Sequence, residues 1–317
     1  MSPRPGHGNG LRRLQLLAAC LLCLPSLSCR RNAVLSDGAA LADGATQADG
    51  PALPDGPAVA DAARPNAGWP RRLGGAGCEW VGGVAVDRSG NVVVTGYFEG
   101  TVDFGGGPLT SAGSSDIFVA SFGPTGAHRW SKRFGDASHD HGHGVAAGGT
   151  GDVVVTGEFK GTLDLGGGPL STTGNYYNVF VASFGPTGAH RWSKGFGGFM
   201  SGGHGYGVAV DDSGDAVVTG AFFGTVDFGG APLKSAGEDD TFVASFDPTG
   251  THRWSKRFGS ASSEHYDGTT FGDSYGVALD GSGNVVVTGT FQETVDFGGG
   301  PLTSASCTDI FLLRLPL

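Results

Sequence analysis

Charged residues are scarce in this 317-residue chain, at 16%, and methionine is scarcer, with two copies. A shortage of long charged and apolar helix formers argues against a helical bundle. Among the charges that do occur, acids outnumber bases by 30 to 20, a net −10. That balance makes a poor surface for nucleic acid or for anionic lipid headgroups. Long apolar runs are missing too, and nothing beyond the N-terminal segment approaches the roughly 20 residues of a membrane-spanning helix. No nucleophile elbow, phosphate loop or metalloprotease helix is read in the sequence, and neither a catalytic residue nor a cofactor is assigned. What abounds is glycine, 60 copies, which marks a turn-rich all-β protein.

Residues 1–28 carry Arg4, Arg12 and Arg13, then an apolar run from Leu14 to Leu24, then small residues up to Ser28. This is the order of a secretion signal, too short to cross a bilayer. The segment resembles a bacterial lipoprotein signal at two points. Leu17-Ala18-Ala19-Cys20 has the better letters, but few apolar residues precede it; Ser26-Leu27-Ser28-Cys29 follows the full run. Cys29 is therefore read as the lipid anchor, with Cys20 or an ordinary cleaved signal as alternatives. A chain beginning at Cys29 loses three cations and no acid, which takes its charge to −13. Residues 29–67 are mostly Ala, Asp, Gly and Pro, lack core-forming aromatics, and read as a disordered tether.

Internal repetition organises the rest. Val92-Val93-Val94-Thr95-Gly96 returns at Val153–Gly157, Ala216–Gly220 and Val285–Gly289, in steps of 61, 63 and 69 residues. Each copy holds short β-branched or aromatic runs separated by Gly, Pro, Asp and Ser, the pattern of strands and hairpins. In the first copy, strands are expected at Gly83–Asp87, Asn91–Phe98, Ile117–Phe122 and Ala127–Phe134, with a small extra hairpin near Thr101–Phe104 and Leu109–Ala112. Four-stranded sheets in tandem point to a β-propeller of four roughly 62-residue blades over residues 68–317, with repeats beginning near 81, 142, 205 and 274.

The two ends of the array are offset. The fourth copy stops after its third strand, Ile310–Leu315, while an unmatched fourth strand precedes the first copy: Trp69-Pro70-Arg71-Arg72-Leu73-Gly74 aligns with Trp130-Ser131-Lys132-Arg133-Phe134-Gly135. If residues 68–74 complete the last blade, the ring closes and no sheet edge is left bare. An open solenoid and a ring formed by strand exchange between two chains are the alternatives.

The run Val84-Ala85-Val86-Asp87-Arg88-Ser89-Gly90-Asn91-Val92-Val93-Val94-Thr95-Gly96, together with Asp116-Ile117-Phe118-Val119-Ala120-Ser121-Phe122, resembles the bacterial SBBP β-propeller repeat family across residues 68–317. The resemblance implies an exported or surface protein with a binding role and no shared catalytic residues. The family name implies seven blades, whereas this sequence supplies four.

Residues present in every copy serve the copy's own fold. His128-Arg129-Trp130, His190-Arg191-Trp192 and His252-Arg253-Trp254 are read that way, and so are the Asp-x-Ser-Gly-Asn turns, which lack the further oxygen ligands of a calcium loop. Function is sought where the copies differ, in the connections before each first strand. Trp80, His141, His204 and Asp273 hold one equivalent position there, and Gly82, His143, Tyr206 and Tyr275 another two residues on. Alternate residues of a strand share a face, so Trp80, His141, His143, His204, Tyr206, Asp273 and Tyr275 form the expected binding rim at one mouth of a central channel. His139, Asp140, His141 and His143 have donor chemistry for zinc or copper, but no metal ligand is assigned.

Cys78 and Cys307 flank the two strands that would close the ring, so a disulfide between them is expected in an exported protein. The function expected is a non-catalytic, lipid-anchored binding module of the cell envelope, with a protein or glycan partner and no nucleic acid. A structural envelope lipoprotein without a ligand, or a metal-dependent enzyme at the histidine-rich rim, are the alternatives.

Overall fold

A computed structural model describes residues 71–260, 274–305 and 308–316. The expected signal peptide, tether, Cys20, Cys29, Trp69, Asp273 and Cys307 lie outside the described residues. Each repeat folds as strands because Gly, Pro, Asp or Ser cuts off every β-branched run before a helix could form. The first repeat gives β1 (Glu79–Val86), β2 (Val92–Phe98), β3 (Thr101–Asp103), β4 (Pro108–Thr110), β5 (Asp116–Phe122) and β6 (His128–Phe134). The second gives β7 (His141–Ala147), β8 (Val153–Phe159), β9 (Thr162–Asp164), β10 (Pro169–Ser171), β11 (Asn178–Phe184) and β12 (His190–Phe196). The third gives β13 (Gly202–Val210), β14 (Ala216–Val226), β15 (Leu233–Phe246) and β16 (His252–Phe258). The fourth gives β17 (Ser274–Leu279), β18 (Val285–Phe291), β19 (Thr294–Asp296), β20 (Pro301–Thr303) and β21 (Asp309–Leu315).

Three antiparallel four-stranded sheets follow, β1-β2-β5-β6, β7-β8-β11-β12 and β13-β14-β15-β16, and a three-stranded sheet β17-β18-β21. β3-β4, β9-β10 and β19-β20 are separate hairpins; the third repeat absorbs the same residues into β14 and β15, through Thr225 opposite Lys234. The turns between first and second strands are held by their own aspartate. Asp87 Oδ1 accepts the N–H groups of Ser89 and Asn91, each at 2.8 Å, and Asp280 repeats this with Ser282 and Asn284.

The sheets stack through their first strands, β1 on β7, β7 on β13 and β13 on β17. One face of each sheet packs on the next. Ile117 and Val119 meet Val145, Val155 and Phe180; Val179 and Val181 meet Val208, Val218 and Phe242; Val243 and Phe258 meet Val287, Phe291 and Phe311. The repeated tryptophan spans this joint: Trp130 Nε1 donates to the Pro186 carbonyl at 3.0 Å, and Trp192 Nε1 to that of Pro248 at 3.0 Å.

At the two ends of the stack the closed ring expected from the sequence is not shown. Among the described residues the fourth sheet has three strands, and residues 71–77 form none. Of the fourth strand expected from residues 68–74, the described part, residues 71–74, is not assigned as a strand beside β21. Residues 71–74 lie against the apolar face of the first sheet: Leu73 packs on the cluster of Phe98, Val102 and Phe118, as Phe134 packs on Phe159, Leu163 and Phe180 of the second repeat, and Arg71 Nη1 donates to the Gly126 carbonyl. Two faces stay open. Val84 and Val86 on β1 are 63% and 61% exposed, and Ile310 and Leu312 on β21 are 78% and 77% exposed, although their counterparts Val145, Val208, Ile117 and Val119 are buried. What the structure establishes is an all-β protein of stacked antiparallel sheets.

Candidate functional site

Each first strand carries a β-bulge opposite its second strand. The register slips between Val81 and Gly83, Gly142 and Gly144, Gly205 and Gly207, and Ser274 and Gly276. The extra residues are Gly82, His143, Tyr206 and Tyr275. A bulge re-aims its extra side chain, and His143 stands 6.1 Å from His141, ring to ring, while Tyr206 stacks on His204 at 5.9 Å. Of Tyr275 only the backbone is described.

Glycine between these pairs brings adjacent sheets together. A Cβ at Gly142 would lie 2.5 Å from Thr95 Oγ1, and one at Gly205 would lie 2.2 Å from Thr156 Oγ1. β7 therefore lies directly on β2 and β13 directly on β8. His141 ends 4.0 Å from the Tyr97 ring of the first sheet, and His204 Nδ1 donates to Glu158 Oε2 of the second. Trp80, 40% exposed, stacks on Tyr97 at 4.9 Å.

Glu158 is the centre of the cluster. It lies opposite His141 in the β7-β8 ladder, with Oε1 3.0 Å from His141 Nδ1 and Oε2 3.3 Å from His143 Nε2. Burial alone would raise its carboxyl, but contacts from His141, His143 and His204 outweigh that and hold it well below the ordinary carboxylate range. His143 Nε2 is itself buried and meets Glu158 as an ion-pair contact at 3.3 Å without forming a hydrogen bond. Burial, helped by the Glu158 and Glu99 charges, raises the Tyr97 phenol. Tyr177 closes the far side, 6.1 Å from His141 and 5.9 Å from His204.

The structure thus brings together Trp80, His141, His143, His204 and Tyr206 of the expected rim. His139 and Asp140 do not belong to the same donor set. His139 Nδ1 bonds Ser115 Oγ at 3.0 Å, and the fully buried Asp140 spends both oxygens on the backbone N–H groups of Asp136 and Lys160. That burial pushes Asp140 up to about 7. Cys78 is half-buried, and its carbonyl accepts the Glu99 N–H at 2.9 Å.

Sequence reasoning missed Glu158, Tyr97, Tyr177 and Ser115. A signal for two of them existed: the residue after each Val-Thr-Gly is Tyr97, Glu158, Ala221 or Thr290, one variable position in an otherwise repeated strand.

Two arrangements resemble hydrolase chemistry. Ser115 Oγ lies 2.9 Å from His141 Nε2, whose Nδ1 faces Glu158, the connectivity of a nucleophile–base–acid relay. Ser115 is only 2% exposed, however, and a buried hydroxyl cannot meet a substrate carbonyl. Gly272-Asp273-Ser274-Tyr275-Gly276 has the letters of a nucleophile elbow, a match the sequence reading passed over. Ser274 opens strand β17 and is followed by strand, whereas an elbow needs a strand-to-helix turn.

No family model and no curated protein matches the chain. Among solved structures, a protein of unknown function from Bacteroides caccae is similar at a TM-score of 0.35 and 10% identity, over 75% of this chain and 61% of that one. The chain thus spans less than two thirds of that protein's length, and a likeness at this level carries no argument.

Proposed function

We propose that this chain is a non-catalytic binding module of the cell envelope, exported and held by a lipid on Cys29, which meets its protein or glycan partner at the imidazole and aromatic rim. The observation that carries the reading is that residues differing between repeats converge on one buried carboxylate. Residues common to all repeats are used up in turns and sheet joints. The N-terminal sequence supports export and anchoring, and the repeat wording supports a kinship with SBBP propellers.

The same reading includes a four-bladed ring closed by residues 68–74. The bare faces support it, since Val84 and Val86 at one end and Ile310 and Leu312 at the other are the two halves of the joint made between every other pair of sheets. A charge pattern supports it as well. Asp116 pairs with Arg133 and Asp240 with Arg257, whereas the second sheet has Asn178 and Gly195 at these places. The fourth sheet has Asp309, and the aligned residue of the N-terminal segment is Arg72. Moreover, Gly195 of β12 sits over Phe159 and Leu170, and their counterparts Phe291 and Leu302 line an open groove of about 470 Å³ beside Asp309. The occupant that groove lacks is a fourth strand.

The test of function is saturable binding of the full chain to isolated cell-envelope fractions. It should be lost in a His141→Ala, His204→Ala, Tyr206→Ala triple variant that keeps its fold. Equal binding by that variant would leave the structural-lipoprotein reading in its place.

A further inference from the structure

We propose that His141 Nδ1, His143 Nε2 and the Glu158 carboxylate form a binding site for a divalent transition metal of the zinc class, with a fourth coordination position left for a donor atom from the partner. The inference rests on the rim being the binding site and names the chemistry by which it binds.

The donors come from two adjacent strands and converge. One ligand atom from each of the three residues lies within 4.8 Å of the other two. A tetrahedral zinc with bonds of roughly 2.0–2.2 Å sets its donors about 3.4 Å apart, so a shift of about an ångström in two half-buried imidazoles and the buried carboxylate closes the shell. Two imidazoles and a carboxylate with one open position is a donor set known from catalytic rather than structural zinc sites. Here it faces aromatic rings and not a nucleophile.

A simple buried ion pair does not account for the arrangement. Glu158 has two oxygens; His141 takes one and His204 the other. A third imidazole nitrogen, on His143, is then buried beside the same carboxylate without a hydrogen bond. Leaving a buried nitrogen without a hydrogen bond is costly, and a metal ion removes the cost by taking its lone pair. The remaining neighbours have the roles that surround a metal. His141 Nε2 lies 2.9 Å from Ser115 Oγ, a hydroxyl able to accept its N–H once Nδ1 gives its lone pair to the ion, and His204 Nδ1 donates to the ligating carboxylate.

The experiment is calorimetric titration of the chelator-stripped full chain with zinc chloride alone. One zinc per chain is expected. His143→Ala and Glu158→Gln should each weaken binding at least tenfold, and His204→Ala roughly 10- to 100-fold, the range for residues that orient a ligand. Should Glu158→Gln fail to fold, the partly exposed His143 carries the test. The visible spectrum of cobalt(II) added to the native chain should report tetrahedral coordination and vanish in His143→Ala. Absence of zinc binding, or zinc binding unchanged in His143→Ala, overturns the metal site. The envelope-binding assay separates the two ideas. Partner binding that depends on the rim but ignores chelation refutes the metal and keeps the rim, whereas stoichiometric zinc without rim-dependent partner binding keeps the metal and refutes the partner.

Discussion

Gly205 of β13 packs so closely on Thr156 of β8 that a Cβ at position 205 would stand 2.2 Å from the threonine hydroxyl oxygen. That hydroxyl donates to the Phe180 carbonyl at 2.8 Å, so it cannot swing aside without leaving a buried acceptor short of a partner. This contact is what delivers His204 to Glu158 of the neighbouring sheet.

Gly205→Ala should therefore separate β13 from β8 and cost about 1–3 kcal/mol, the usual penalty for overpacking a filled joint. Urea unfolding measures the loss, and the His204 ring resonances should change as the Glu158 contact opens. An alanine variant as stable as the parent, with unmoved His204 resonances, would show that the joint has slack.

The tryptophan joint gives a smaller effect in the same assay. Trp192→Phe keeps the ring's apolar contacts but removes the Nε1 donor to Pro248, a bond 3.0 Å long at the junction of the second and third sheets. A loss of about 0.5–1.5 kcal/mol is expected. A loss several times larger would mean that the indole fills volume a phenyl cannot.

Most of the strand order was legible in the sequence, because strand periodicity and turn residues are local. Asp87, Ser89, Gly90 and Asn91 announce their turn without help from anything distant. The rim was half legible. His141, His143, His204 and Tyr206 stand out because they interrupt a repeat at equivalent positions, yet Glu158 holds one variable place in an otherwise repeated strand and shows its role only through contacts with His141 and His143 of the adjoining strand and His204 of the next sheet. Which residue of one sheet faces which of the next depends on how closely glycine lets the first strands approach. The spelling of a repeat does not carry that information.

The turn aspartates predict a pH response with a definite sign. Asp280 accepts from the side chain and backbone N–H of Asn284 and also from Arg314 and Ser282, which together hold its carboxyl well below its ordinary 3.8. A folded value below the unfolded one adds stability that is present above the ordinary value and lost as pH falls through the folded value. In a carbon-detected titration of the native chain, Asp280 should stay ionised below pH 3.8 while its exposed turn keeps its shifts. A midpoint at or above that value would contradict the turn geometry.

The closed ring makes the most demanding prediction, because it requires a bond between residues near opposite ends of the chain. Asp309 already accepts the Ala305 N–H at 2.8 Å through one oxygen, as Asp116 does from Ala112 and Asp240 from Ala236. In those two sheets an arginine of the fourth strand, Arg133 or Arg257, meets the same carboxylate oxygen. If residues 68–74 supply the missing strand, Arg72 must do this for Asp309. Arg72→Asp and Asp309→Arg should then each destabilise the chain by about 1.5–3 kcal/mol, the worth of a hydrogen bond to a charged group. The double exchange should recover the share of that loss that belongs to the ion pair, restored with its polarity reversed, but not the Ala305 bond, which an arginine at 309 cannot accept. Coupling of this kind between positions 72 and 309 cannot arise in an open stack, where Leu73 rests on the first sheet alone. Purely additive losses in the double-mutant cycle would therefore reject closure by this strand and leave the two apolar end faces for another occupant.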